Sequence, residues 1–119
     1  MKSYIYDTSK GYSSLIKHYY SDKMNIETCT NKKRFLANSV SEFDVCFFVI
    51  NDIEDFFNLL KIYFKVQYIF VVSPIAEFIE KIQNLGYKDL IILDSTNNKH
   101  DLLKVINFNL SSIELSKVS

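Results

Sequence analysis

The sequence predicts an α/β domain in three layers: a doubly wound, all-parallel sheet of five strands in the order 2-1-3-4-5, with helices on both faces. Three observations lead there. Strand-length apolar runs alternate with longer amphipathic runs along the whole chain, which is the pattern of successive βα units. Two of the runs, VCFFVI at 45–50 and YIFVV at 68–72, are apolar at every position, as strands covered by helices on both sides must be. Only two glycines and one proline occur in 119 residues, too few for a chain of tight hairpins.

Each element follows from its local pattern. Residues 3–6 form the first strand. Residues 12–20 place Leu15, Ile16 and Tyr19 at helical spacing. NIETCT at 25–30 alternates and is β-branched, which suits an edge strand. Residues 32–40 put Phe35, Leu36 and Val40 on one side and predict a second helix. After the strand at 45–50, Asp52 caps a third helix, with Asp55 as its capping-box partner and Phe56, Leu59, Leu60 and Tyr63 as the inner stripe. After the strand at 68–72, Pro74 opens a fourth helix carrying Ala76, Ile79, Ile82 and Gln83, and Gly86 stops it. LIIL at 90–93 is the fifth strand. Residues 97–110 form the last helix, with Leu102, Leu103, Ile106 and Leu110 inward, and the polar tail after Ser111 frays. Strict alternation with right-handed crossovers gives the order 2-1-3-4-5, and residues 1–119 make one domain of ordinary size.

Composition excludes several classes. Fourteen basic and fourteen acidic residues cancel, so no whole-chain field draws in nucleic acid or an anionic membrane. No apolar stretch reaches the ~20 residues of a membrane span. No basic-plus-apolar leader opens the chain. Cys29 and Cys46 lie in apolar segments and read as two buried reduced thiols, although a disulfide between them is possible on paper. Together these features point to a soluble protein of a reducing compartment, most simply the cytoplasm.

In a doubly wound sheet the ligand crevice lies at the carboxyl ends of the strands, at the switch between strands 1 and 3. The fold therefore nominates Asp7 and Thr8, Asn51 and Asp52, Ser73 and Pro74, and Asp94 and Ser95. Asp7 and Asp52 converging there suit a hard cation such as Mg²⁺; both also suit a helix N-terminus as a cap, the reading favoured for Asp52. Ser73 either meets a phosphate oxygen or is an ordinary turn residue.

These residues resemble the receiver domain of two-component response regulators, over nearly the whole chain. The resemblance rests on Asp7 after strand 1, Asn51 and Asp52 after strand 3, Ser73 after strand 4, and Gly86, Tyr87, Lys88 and Asp89 before strand 5. It implies a domain that takes a phosphoryl group onto an aspartate from a partner kinase. The response is a shift in the face built by strands 4 and 5 and the helices after them. The departures are as informative. Tyr6 and Asp7 offer one carboxylate where the family has an acidic pair. Asn51 stands at the phosphoacceptor position and cannot form an acyl phosphate, and Asp52 comes one residue late. The family's lysine at the end of strand 5 falls on Leu93 or Asp94, and its aromatic switch residue on Ile91 or Ile92. The resemblance thus implies a degenerate, receiver-like module without enzymatic activity. It signals through contacts with a protein such as a kinase, an output domain or a second copy.

Two rivals remain. The turn Thr8, Ser9, Lys10, Gly11, Tyr12, Ser13 resembles the phosphate loop of flavodoxins, which implies FMN held by Thr8, Ser9, Gly11 and Ser13. The short connections after strands 3 and 4 leave little room for a flavin ring, and the expected cofactor is none. The second rival is an active receiver phosphorylated on Asp52. Elsewhere, His18 and His100 read as exposed helix residues. Lys32, Lys33 and Arg34 read as a solvated face, with contact to a phosphate or an acidic partner as the other use. Phe57 and Phe64 lie seven apart, partly off the inner stripe, and offer an apolar patch for self-association.

Overall fold

The computed structural model describes residues 1–87 and 89–118; Lys88 and Ser119 lie outside the described residues. The elements are β1 (Lys2–Tyr6), α1 (Gly11–Tyr20), β2 (Asn25–Cys29), two 3₁₀ segments (Lys32–Arg34 and Ala37–Glu42), β3 (Val45–Val49), α2 (Ile53–Ile62), β4 (Tyr68–Val72), α3 (Ala76–Asn84), β5 (Leu90–Leu93) and α4 (Lys99–Val118). The five strands form one sheet in the order β2-β1-β3-β4-β5, with every adjacent pair parallel.

Burial follows from this order. All five residues of β3 are buried, because its neighbours cover its edges and helices cover both faces. On one face Ile5, Phe47, Phe70 and Val72 pack under Ile16 and Tyr20 of α1 and Leu102, Ile106 and Ile113 of α4. On the other, Tyr6, Phe48, Ile50 and Val71 pack under Phe56, Leu59 and Ile62 of α2, Phe78 and Ile82 of α3, and Val40. Strand alternation sends Phe47 and Phe48 to opposite faces. Each then stacks on its registered neighbour, Phe47 on Phe70 at 4.6 Å and Phe48 on Tyr6 at 4.3 Å. Both cysteines are buried and free, and complete burial pushes the Cys46 thiol up, away from ionisation.

Four expectations are corrected. The predicted second helix over 32–40 is two 3₁₀ segments, separated where Phe35 (ψ 124°) and Leu36 (ψ 101°) are extended. Asn31 caps the first segment by accepting the Lys33 N–H. Asn38 and Ser39 follow, residue types that bond local backbone in non-helical forms, and the Ser39 hydroxyl does so to the Leu36 carbonyl. Pro74 does not open α3. The Ser73 hydroxyl accepts the Ile75 N–H in a turn, and the helix starts at Ala76. The inner face of α3 is centred on Phe78 and Ile82, leaving Ala76 and Gln83 exposed. The last helix continues beyond Ser111, where Ile113 adds another turn to the core.

Gly86 does end α3, at φ 68°, with its N–H donating to the Gln83 carbonyl. No atom lies near the position a Cβ would take there, so a side chain meets conformational strain alone. Gly86→Ala is therefore expected to lower stability by about 1–2 kcal/mol, measured by urea unfolding. An unchanged midpoint would show that the turn relaxes at no cost.

Candidate functional site

The carboxyl edge gathers the ends of β1, β3, β4 and β5, and the nominated residues meet it with their hydrogen bonds already made. Asp7 is fully buried. Its Oδ1 accepts the Ser9 N–H at 3.0 Å and also the Ser9 hydroxyl, while its Oδ2 accepts the Ser13 N–H at 3.0 Å. Ser13 is the third residue of α1, so Asp7 does from six residues away what an N-cap side chain does. Lys10, at the cap position itself, sits at φ 68° and supplies no side-chain cap. In the turn formed by Thr8, Ser9, Gly11 and Ser13, an anion therefore already occupies the donors a phosphate would use: the chain's own Asp7.

Across the switch point, Asn51 Nδ2 donates to Thr8 Oγ1 at 3.3 Å and joins the ends of β3 and β1. Asp52 makes different bonds. Its Oδ1 accepts the Asp55 N–H at 2.9 Å, capping α2, and its Oδ2 is ion-paired with Lys32. The Lys32 ammonium and then the Asp55 N–H hold the Asp52 carboxyl below its ordinary value, and the Lys32 pKa rises in return. Glu54 lies 3.7 Å from the same ammonium. The expectation of a solvated face at Lys32 is thus corrected: an ammonium does reach the edge, from the segment after β2. Lys99, near the other end of the sheet, instead sits 4.9 Å over the Tyr19 ring.

Asp55 is the residue whose role the sequence understated. It is completely buried. Its Oδ1 accepts the Tyr6 O–H at 2.6 Å and its Oδ2 accepts the Asn51 N–H at 2.9 Å. Asn58 Nδ2 donates to the Tyr6 oxygen at 3.1 Å. Burial first, and then the Asp55 carboxylate, drives the Tyr6 phenol pKa up, so it stays a donor. The capping-box reading foresaw the Asp55 N–H bonding Asp52, but the Asp55 carboxylate accepts from Asn51, one residue before the cap, in place of Asp52; the link to Tyr6, 49 residues distant, has no local signal.

The remaining nominees are turn residues. The Ser73 hydroxyl donates to the Ile50 carbonyl at 2.7 Å, bracing the end of β3. Asp94 is exposed, and its Oδ1 accepts the Thr96 hydroxyl and N–H at 2.7 and 2.9 Å, which lowers its pKa. Between the edges, burial raises the Tyr12 phenol pKa, helped by the fields of Asp7 and Asp94. Among the described residues no three His, Cys, Asp or Glu side chains are grouped to hold a metal ion. The oxygens of Asp7 and Asp52 already accept from the donors named above. That set does not fit Mg²⁺, which needs open oxygens in near-octahedral array.

With this geometry in place, likeness to solved structures decides the fold. A CheY-like response regulator receiver domain protein from Methanospirillum hungatei JF-1 superposes with a TM-score of 0.65 at 20% identity, over 97% of each chain. The chain has the fold of a CheY-like receiver domain. The chemotaxis protein CheY4 of Vibrio cholerae matches at TM-score 0.60 and 17% identity, over 89% of this chain and 95% of its own. A structure described as adenylate cyclase from Rhodopirellula baltica matches at 0.67 and 12%, over 98% and 92%. No protein-family model matches the chain, and no curated protein does. No described helix is long and apolar enough to cross a membrane.

Two outcomes check this description of the receiver-like edge. Tyr6→Phe leaves a buried carboxylate oxygen without its donor and is expected to cost about 1–3 kcal/mol in urea unfolding; a change below a few tenths would show that Asp55 finds another partner. The depressed Asp52 pKa stabilises the fold above the ordinary carboxylate value of about 4, and that contribution is lost as pH falls through the lowered value. In Lys32→Ala, Asp52 is expected to titrate at higher pH than in the parent, followed by carboxyl NMR. An unmoved titration would place the cause in the cap alone.

Proposed function

We propose that the chain is a receiver-like signalling module that works through protein contacts and has no aspartyl phosphorylation step. The observation that carries this reading is the end of β3. Asn51, whose amide cannot become an acyl phosphate, is joined there to Thr8. Asp52 follows, bonded to Lys32 and to the helix it caps. For the Asp52 Oδ2 to attack a phosphodonor it must leave the Lys32 ammonium, and among the described residues no group of three His, Cys, Asp or Glu side chains is placed to hold a divalent ion. Asp7 is buried and bonded to its own turn.

On this reading the module has no catalytic role and acts in a reducing, cytoplasmic setting on a protein partner: a kinase, an output domain or a second copy. Exposed apolar side chains support the contact mode. Ile53, Phe57 and Phe64, along and just past α2, are 44%, 52% and 86% exposed, and residues of this kind anchor protein interfaces. The test is incubation with acetyl phosphate and Mg²⁺, read by intact mass. No mass gain is expected in the parent. Gain of one phosphoryl group, absent from Asp52→Ala, would refute the reading and establish an active receiver.

A further inference from the structure

A polar groove of about 770 Å³ opens between the turn after β1 and the segment after β2. It lies on the β2 side of the switch point, with Thr8 and Lys10 of the turn after β1 on one wall and the residues after β2 on the other. Its volume falls in the range of small-molecule sites, about 300–1,000 Å³. Lys10, Lys32 and Arg34 line it, with Thr28, Thr30 and a single acidic residue, Glu27. Among the described residues neither Lys10 nor Arg34 has a carboxylate partner. Lys32 is already paired with Asp52 and Glu54, which leaves Lys10 and Arg34 against Glu27, a local positive excess on a chain whose formal net charge is zero.

We propose that this groove binds a small organic phosphate of nucleotide size, with Lys10, Lys32 and Arg34 contacting its phosphate oxygens. Arginine and lysine with hydroxyl donors make the charge-assisted bonds that phosphate oxygens accept. The volume exceeds what a lone phosphate fills, and exposed Leu36, also at the groove, offers an apolar wall for the remainder. The ligand competes with Asp52 and Glu54 for the Lys32 ammonium. This inference goes beyond the contact-signalling reading and does not depend on it, since a reversible ligand adds no covalent mass.

The first and third residues of the 3₁₀ segment Lys32–Arg34 line the groove, and the second, Lys33, does not. That alternation sets the test. The intact chain is titrated by NMR with AMP, with pyrophosphate and with inorganic phosphate. Saturable shifts at Thr28, Thr30, Lys32 and Arg34 are expected with AMP and pyrophosphate, weakening as salt is raised. Lys32→Gln and Arg34→Gln should each reduce affinity by about tenfold or more, while Lys33→Gln leaves it unchanged. Asp52→Asn keeps a capping side chain, frees Lys32, and should raise affinity by about two- to fivefold. This gain does not arise from misfolding. Equal losses in Lys33→Gln and Arg34→Gln would reduce the effect to diffuse charge and overturn the proposal. So would shifts confined to the Ser9 to Ser13 turn, or no saturation with any of the three anions.

Discussion

Two buried carboxylates, Asp7 and Asp55, hold the carboxyl edge of this sheet together. A carboxylate without solvent is costly unless hydrogen bonds replace the water it loses. Asp7 draws its donors from the turn after β1 and from α1. Asp55, in α2, draws its donors from β1 through Tyr6 and from the β3 to α2 junction through Asn51. Two adjacent strands and the helices that follow them are thus fixed relative to one another by groups that cannot be left unbonded. No buried side-chain nitrogen or oxygen among the described residues lacks a partner. The edge where this fold places its ligands is therefore satisfied from within.

What was legible in the sequence and what was not divide by range. The strands were legible because burial on both faces writes itself as uninterrupted apolar residues at 45–50 and 68–72. The order of strands followed from alternation and handedness alone. The cap at Asp52 and the stop at Gly86 were local signals and were read as such. The failures share a cause. The second helix was inferred from Phe35, Leu36 and Val40 at helical spacing, yet Leu36 is 67% exposed. Short polar residues between them bond the nearby backbone and open the helix into 3₁₀ turns. Lys32 and Asp52 are 20 residues apart, and Tyr6 and Asp55 are 49 apart. Periodicity does not describe such pairs, because the sheet brings them together.

Net charge misled in the same way. A chain with fourteen charges of each sign projects no long-range field, and at that level the basic run at 32–34 looks like ordinary solvated surface. The fold places two of its three cations on one groove and brings Lys10 to the same groove from the turn after β1. Electrostatics at a site depends on which loops share an edge, and total composition carries no information about that.

The Lys32 to Asp52 pair then bears on how the proposed signalling module would respond. In a phosphorylated receiver the new anion and the cation it attracts create the difference between two states. Here anion and cation are both part of the folded chain and already joined. A ligand shifts an equilibrium only by its differential affinity for two states, so a signal at this edge must either separate the pair or act elsewhere. A solvent-exposed pair is weak, which makes it easy to separate and leaves little coupling to pass on. Any larger response must come from a surface with more to gain. Burying exposed apolar side chains such as Phe57 and Phe64 against a partner supplies far more free energy than one exposed ion pair. This difference in magnitude favours contact over charge as the means by which the proposed signalling module would act.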